Sequence, residues 1–411
     1  MILTVMRKKT SMKLIVFRKV TGNFVLACLI IHAVYAVLSL LLSALPLQVR
    51  TGLILMAGLV ALASAVIPHW YQKWDGRIPT AIYFLLILVI SLLAVVGLQY
   101  FYIDDLRDDL GRSALSITRG ILLLGLSWIA CGAPIQGLKR ERSLILVICI
   151  MGFLSFSVFT NLNGGIFVSY VKLNEGRSDD AGLNHLMVGE AVSFLLLLAY
   201  AFAPYRWRLL TFSLSIAMLF SLAGRGAFFS YFLAVGLHHY LVVSTGWKWS
   251  HIVAVFAVLV GCVSIYLFLD FRDDAVARML LSQGLSEDGS VVERQAVLAG
   301  GLKALPAQIL IGDPAFMIRT FRSMGTYIHN ILSAWQFFGL VPFLLFVSAL
   351  MWVSLYILKN RKKMHGPIDD FGVLLFLYSG ISILTAKYIG FHMFWFALGF
   401  WFFRMGTLKK Q

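Results

Sequence analysis

The chain has 411 residues, of which 60% are hydrophobic and 13% are charged, and its formal net charge is +16. Soluble domains carry about 25% charged residues, so this composition excludes a water-soluble globule. A positive charge in a soluble protein would suggest nucleic acid, but the cytoplasmic loops of membrane proteins carry the same excess. We therefore expect an integral membrane protein with no nucleic-acid partner.

Long apolar runs follow one another along the whole chain. A membrane-spanning helix needs roughly twenty such residues, which predicts an all-α, polytopic transmembrane helical bundle of about twelve spans. The runs lie near residues 22–45, 51–68, 78–100, 114–133, 144–161, 187–204, 208–223, 226–244, 251–269, 330–357, 371–387 and 389–405. No shift in composition and no repeat divides the sequence, so we expect a single membrane domain over residues 1–411.

The charges in the loops predict the orientation of these spans. With the N-terminus inside, most lysines and arginines fall in cytoplasmic segments, including 139–142 and 359–363, while most acidic residues fall on the other side. This is the positive-inside arrangement of inner-membrane proteins. Both termini are then cytoplasmic, and the two long loops, 162–186 and 270–328, face the opposite side.

The longer of these loops contains a predicted amphipathic helix over residues 293–305. Leu298, Leu302 and Leu305 share one face at helical spacing, and Pro306 ends the helix. Arg294 would lie at its start, the wrong end for the helix dipole. That placement favours a ligand-binding role over a structural one, with pairing to a neighbouring carboxylate as the alternative.

Arg225 lies in a short turn between two apolar runs, with a glycine on each side. An arginine at the edge of a membrane either reaches to the surface and pairs with a carboxylate, or binds an anion. Its planar guanidinium suits a diphosphate better than the ammonium of a lysine does. Position alone does not separate these alternatives.

His329 and Asn330 end the long loop where the next apolar run begins. His329 is the only histidine of that loop, and an ordinary pKa near 6.5 suits a general base, although a structural role is the common one. Asn330 could orient the ring or a sugar hydroxyl. Further cations that could line an outside cavity are Arg177, Arg319, Arg322 and Lys387.

Glu190 falls within a predicted span, where a carboxylate needs a partner. We expect Arg177 or Lys387 to provide it. The cysteines and histidines show no metal-binding spacing, so we expect no metal and no other cofactor.

Three segments in this order resemble the O-antigen polymerase and O-antigen ligase superfamily of bacterial membrane proteins. They are SLAGRGAFFSYFLAVG around Arg225, ERQAVLAGGLKAL around Arg294 and GTYIHNILSAWQFFGLVPFLLF around His329, the last containing Gly339. The resemblance covers the C-terminal half, and residues 1–160 fit only in hydropathy. It departs at Ala223-Gly224-Arg225, where relatives often have a hydroxyl residue before the arginine.

The resemblance implies a metal-independent glycosyltransferase of the GT-C type, with its active site on the periplasmic side of the inner membrane. Its donor would be a glycan linked to undecaprenyl diphosphate. Arg225 and Arg294 would bind the donor diphosphate, His329 would activate the acceptor hydroxyl or hold the diphosphate, and Arg177 would line the glycan path. Membrane lipid and a chain-length-regulating membrane protein are the further partners that it implies.

Three functions fit this pattern. A polymerase transfers the growing glycan to another lipid-linked repeat unit, and the segment around His329 favours it. A ligase transfers the glycan to the lipid A core. A transporter or flippase of lipid-linked glycans would perform no chemistry, and the scarcity of prolines in the middle of the spans speaks against it.

Overall fold

A computed structural model describes residues 30, 33–34, 37–38, 80–102, 140–162, 167–168, 185–243, 289–321, 327–364 and 366–408. Within these ranges the chain is helical, and strand-like pairing is limited to one antiparallel bridge between Leu162 and Val168. The helices are α1 (Thr80–Tyr102), α2 (Arg140–Phe159), α3 (His185–Phe202), α4 (Tyr205–Ser221), α5 (Arg225–His238, continued by the π-helical turn His239–Val243), α6 (Gly289–Ala304, followed by the 3-10 turn Leu305–Gln308), α7 (Phe316–Phe321), α8 (Ser333–Phe338), α9 (Leu340–Asn360), α10 (Pro367–Thr385) and α11 (His392–Leu408).

Most of the expected spans in the described ranges appear as helices. The runs 78–100, 144–161, 187–204, 371–387 and 389–405 correspond to α1, α2, α3, α10 and α11. The runs 208–223 and 226–244 form separate helices, α4 and α5, divided by a turn of three residues. The runs 51–68, 114–133 and 251–269 and most of 22–45 lie outside the described residues.

Two of the described helices, α9 and α10, are long and apolar enough to cross a membrane. Shorter apolar segments cover Leu144–Phe159, Leu186–Phe202 and His392–Phe402. The outer face of α9 exposes a row of large apolar side chains, namely Val341, Leu344, Met351, Leu355 and Leu358. The helical class is therefore confirmed for the described residues, and the full count of about twelve spans stays a prediction.

Helix α10 is the centre of the described bundle and packs along α5, α3 and α11. Helix α2 packs on α3, and α9 packs on α8, α11 and α1. Large aromatic side chains fill the space around α10 and α11, and Trp401 Nε1 donates a hydrogen bond to the Gly372 carbonyl at 3.0 Å. A Cβ atom at Gly372 would lie 2.1 Å from the Phe400 ring, so the missing side chain allows these two helices to approach closely.

The run expected over residues 330–357 contains one helix long enough to span a membrane, α9, but this helix begins later than expected because the run divides into α8 and α9 at Gly339. Gly339 has a φ of +84°, and a Cβ atom there would lie 2.6 Å from the carbonyl oxygen of Leu310. The amide of Leu340 donates to the carbonyl of Ile309 at 2.8 Å. A glycine is thus required where the chain of residues 309–312 crosses the start of α9.

The amphipathic helix of the long loop exists, but its bounds and its buried face differ from the prediction. It begins at Gly289, so Arg294 lies in its second turn and not at its start. Leu302 is exposed, whereas Val297, Gly301 and Leu305 are buried. Helical spacing alone could not select the face, because apolar residues occur on more than one side of α6.

Two adjacent aspartates at the start of α10 hold one end of the bundle together. Asp370 accepts hydrogen bonds from Arg208 of α4 and from Nε2 of the buried His238 of α5, the latter at 3.1 Å. Asp369 forms a bidentate pair with Arg404 of α11, both distances being 2.9 Å. The sequence analysis selected none of these side chains as contacts between helices.

Candidate functional site

The other end of α10 leads into a turn at residues 386–391, which is the centre of the candidate site. Ser382 accepts hydrogen bonds from the amides of Ala386 and Lys387 through its carbonyl oxygen, at 2.8 and 2.7 Å. The carbonyl of Ile389 accepts a hydrogen bond from Trp395 Nε1 at 2.6 Å. These contacts fix the turn against α10 and α11.

A second segment, residues 327–332, packs against this turn and carries His329. The fully buried hydroxyl of Ser333 donates to the carbonyl of Asn330 at 2.7 Å and accepts from the amide of Ile389 at 2.8 Å. The side-chain oxygen of Asn330 accepts from the amide of Leu332 at 2.9 Å. Ser333 therefore joins the two segments, and this Asn330 oxygen serves the local turn.

The ring of His329 packs at one end of a row of aromatic side chains. Its ring centroid lies 4.6 Å from that of Tyr327, which in turn lies 4.0 Å from that of Tyr388. The His329 ring also forms a hydrogen bond with the backbone of Ala386. The ring is thus held from two sides, which leaves one nitrogen for a substrate group.

Burial and two neighbouring cations determine the ionisation of His329. Burial is the largest cause, and the positive charges of Arg294 and Lys387 add to it, so the pKa of His329 is lowered to about 4. The hydrogen bond with Ala386 acts in the opposite direction. The ring is neutral at pH 7, and His329, Arg294 and Lys387 form one cluster.

Arg225 is the first residue of α5, directly after the turn at 222–224. Ala223 in this turn has a φ of +52°, a conformation that costs a non-glycine residue about 1–2 kcal/mol. The space that a Cβ at Gly226 would occupy lies 3.8 Å from the Cβ of Ala386. The start of α5 therefore faces the same turn as the His329 ring, and a helix start favours anions.

Glu190 of α3 pairs with Lys387, which is one of the two partners that the sequence analysis proposed for it. The side chains are 16% and 18% exposed, so the pair is mostly buried. A Cβ at Gly189 would lie 3.1 Å from the Cβ of Ala227, so α3 and the first turn of α5 are in close contact. Glu190 therefore directly follows the residue of α3 that packs on the first turn of α5.

Helix α6 reaches the site through Gly301. A Cβ atom there would lie 2.6 Å from Cδ1 of Ile328, the buried residue before His329. The backbone amide of Ile328 donates to the side-chain oxygen of Gln336 at 3.1 Å. The fit of α6 against Ile328 thus sets the position of the neighbouring histidine.

The remaining predicted residues differ in their placement. Arg319 pairs with Asp313 at 2.5 Å on the short segment between α6 and α8, and Asp313 also accepts from the amides of Ala315 and Phe316. That pair stabilises the start of α7. Arg177 and Arg322 lie outside the described residues, so their proposed roles stay predictions.

Sequence reasoning did not select Tyr327, Tyr388 or Ser333. Burial raises the pKa of Tyr327 to about 12 and also raises that of Tyr388. Their hydroxyls therefore stay protonated and can donate hydrogen bonds. Each tyrosine lies within two positions of a predicted site residue, a signal that could have identified them.

This arrangement combines cations, a neutral imidazole and a carboxylate at one end of an apolar bundle. Cations at the start of a helix can bind a diphosphate, and a neutral imidazole can accept a hydrogen bond from a hydroxyl group. Among the described residues, no group of three or more His, Cys, Asp or Glu side chains could hold a metal ion.

Comparison with known proteins gives no assignment. No known family matches the chain, and no curated protein sequence shows a significant match to it. The functional argument therefore depends on the residues themselves.

Proposed function

We propose that this chain is a polytopic inner-membrane glycosyltransferase that polymerises oligosaccharide repeat units linked to undecaprenyl diphosphate. The observation that carries the proposal is the gathering of His329, Arg294, Lys387 and the start of α5 around the turn at residues 386–391. Arg294, His329 and the start of α5 belong to the three segments that resemble the polymerase and ligase superfamily, and Lys387 lies outside those segments. The product would be O-antigen or a related surface polysaccharide.

The dimensions of α10 support a membrane-spanning arrangement. Its 19 residues extend over about 28 Å, close to the roughly 30 Å thickness of the hydrocarbon layer. The Asp369–Asp370 network lies at one end and the candidate site lies at the other. The exposed apolar row of α9 would contact lipid, and about twelve spans would place both termini in the cytoplasm and the site on the periplasmic side.

In the proposed reaction, the cations stabilise the diphosphate as it leaves. The acceptor hydroxyl attacks the first carbon of the donor sugar, and the bond from that carbon to the diphosphate oxygen breaks. Arg225 and Arg294 compensate the negative charge that develops on the diphosphate. The nitrogen of His329 that does not bind Ala386 accepts a hydrogen bond from the acceptor hydroxyl and orients it.

The glycans of a strain that lacks this chain test the proposal. A polymerase deletion accumulates single repeat units on the periplasmic face and makes no long chains. Long chains that are made but not attached to the lipid A core would indicate the ligase. Accumulation of lipid-linked units on the cytoplasmic face would indicate a flippase, and unchanged glycan length and attachment would contradict all three functions.

A further inference from the structure

Glu190 is the carboxylate of the described site cluster. Its charge acts on Tyr327 and Tyr388, and its side chain binds Lys387, which itself acts on His329. The other carboxylate side chains that the structure describes are placed differently. Glu293 is exposed on α6, Asp313 binds Arg319, and Asp369 and Asp370 lie at the opposite end of α10.

A glycosyl transfer releases the proton of the acceptor hydroxyl, and His329 is poorly placed to keep it. Burial disfavours the charged form of the ring, and the positive charges of Arg294 and Lys387 disfavour it further. A protonated ring would add a third positive charge to this cluster. A carboxylate that accepts the proton becomes neutral instead, so no further positive charge is added. The cations then stay available to bind the departing diphosphate.

Lys387 is the residue that could free this carboxylate. Its flexible ammonium group binds Glu190 in the structure, and a diphosphate bound beside Arg225 and Arg294 would present a stronger negative charge within reach of the same turn. A carboxylate that loses its cationic partner becomes a better base.

We propose that Glu190 takes the proton of the acceptor hydroxyl, and that Lys387 moves from Glu190 to the diphosphate when the donor binds. This role depends on the proposed function. The acceptor oxygen forms a bond to the first carbon of the donor sugar, and the bond between that carbon and the diphosphate oxygen breaks. The diphosphate keeps the electron pair, and the proton of the acceptor passes to Glu190, so no oxidant or further reactant is needed.

The experiment must separate this role from a purely structural ion pair. Purified full-length protein in lipid vesicles is supplied with the lipid-linked repeat unit extracted from a strain that lacks the chain, and glycan elongation is measured. Wild type is compared with Glu190→Gln, Lys387→Met and the double variant. If the pair only stabilises the fold, each single change leaves a mostly buried charge without its partner, and the double variant restores activity.

As a proton acceptor, Glu190 predicts a different result. Glu190→Gln lowers turnover by about 10²–10⁴-fold, the usual effect of removing a general base. Lys387→Met raises the KM for the lipid-linked unit but retains measurable turnover. The double variant remains as slow as Glu190→Gln, and because it is balanced in charge, it decides the question even where a single variant does not accumulate.

Two results would overturn the assignment. In the first, wild type is active and the double variant turns over as fast as Lys387→Met. This result would exclude Glu190 as the proton acceptor and leave the polymerase function intact. Wild-type protein that elongates no glycan would contradict the proposed function, and the role of Glu190 with it.

Discussion

Replacing Gly301 with alanine should impair transfer although Gly301 lies on α6 and outside the cation cluster. The new Cβ atom would lie 2.6 Å from Cδ1 and 2.7 Å from Cγ1 of Ile328, whereas carbon atoms pack best at about 3.5–4.0 Å. Ile328 must therefore move by about 1 Å. His329 follows it directly in the chain, and a displacement of that size at a reacting group can cost about 10²-fold in rate.

The fold should survive this change. Overpacking of a buried site costs about 1–3 kcal/mol, and alanine gains about 0.5–1 kcal/mol over glycine inside a helix. Gly300→Ala is the matched control, because its Cβ would lie 3.4 Å from the Phe321 ring, close to ordinary packing distance. The assay is glycan elongation in vesicles at equal protein amounts, together with the thermal unfolding midpoint in detergent. Equal activity of the Gly301 and Gly300 variants would refute the inference that α6 positions His329.

Three further results are expected. Arg225→Lys should lose nearly as much glycan elongation as Arg225→Ala, because an ammonium does not reproduce the bidentate contact with a phosphate; full glycan length in the lysine variant would return Arg225 to a structural role. Asp370→Asn should lower the unfolding midpoint in detergent, since breaking a buried ion pair costs about 3–5 kcal/mol, and an unchanged midpoint would contradict the importance of this network. Single cysteines at Asp288 and at Lys362 should react with an impermeant thiol reagent only from the periplasm and only from the cytoplasm, respectively, and the reverse pattern would end the proposed orientation.

The sequence predicted the helices better than their contacts. The hairpin before Arg225 follows from a local rule, because a short turn separates two apolar runs. That Glu190 needs a cationic partner follows from another, because a carboxylate among apolar residues is costly unless it is paired. The break at Gly339 could not be predicted in this way. It arises from the crossing of residues 309–312, which only the tertiary structure brings to that glycine.

The polar contacts at the two ends of α10 show the same limit. Asp370 binds Arg208 across a separation of 162 residues, and Lys387 binds Glu190 across 197. Hydropathy describes how apolar each segment is. It gives no information on which charged residues of distant segments meet in the fold. The stacking of Tyr327 on Tyr388 was missed because neither segment shows that the other tyrosine lies beside it in the fold.

One measurement tests the central claim most directly: the elongation of lipid-linked repeat units by purified wild type, His329→Ala and His329→Gln. The account predicts elongation by wild type, almost none with His329→Ala, and substantial activity with His329→Gln. Glutamine can donate to the Ala386 backbone and accept from the acceptor hydroxyl, but it cannot take up a proton. If His329→Gln is as inactive as His329→Ala, the imidazole ring is the base, and Glu190 is excluded from that role. Wild-type elongation by His329→Ala, at equal amounts of folded protein, would contradict the proposed site.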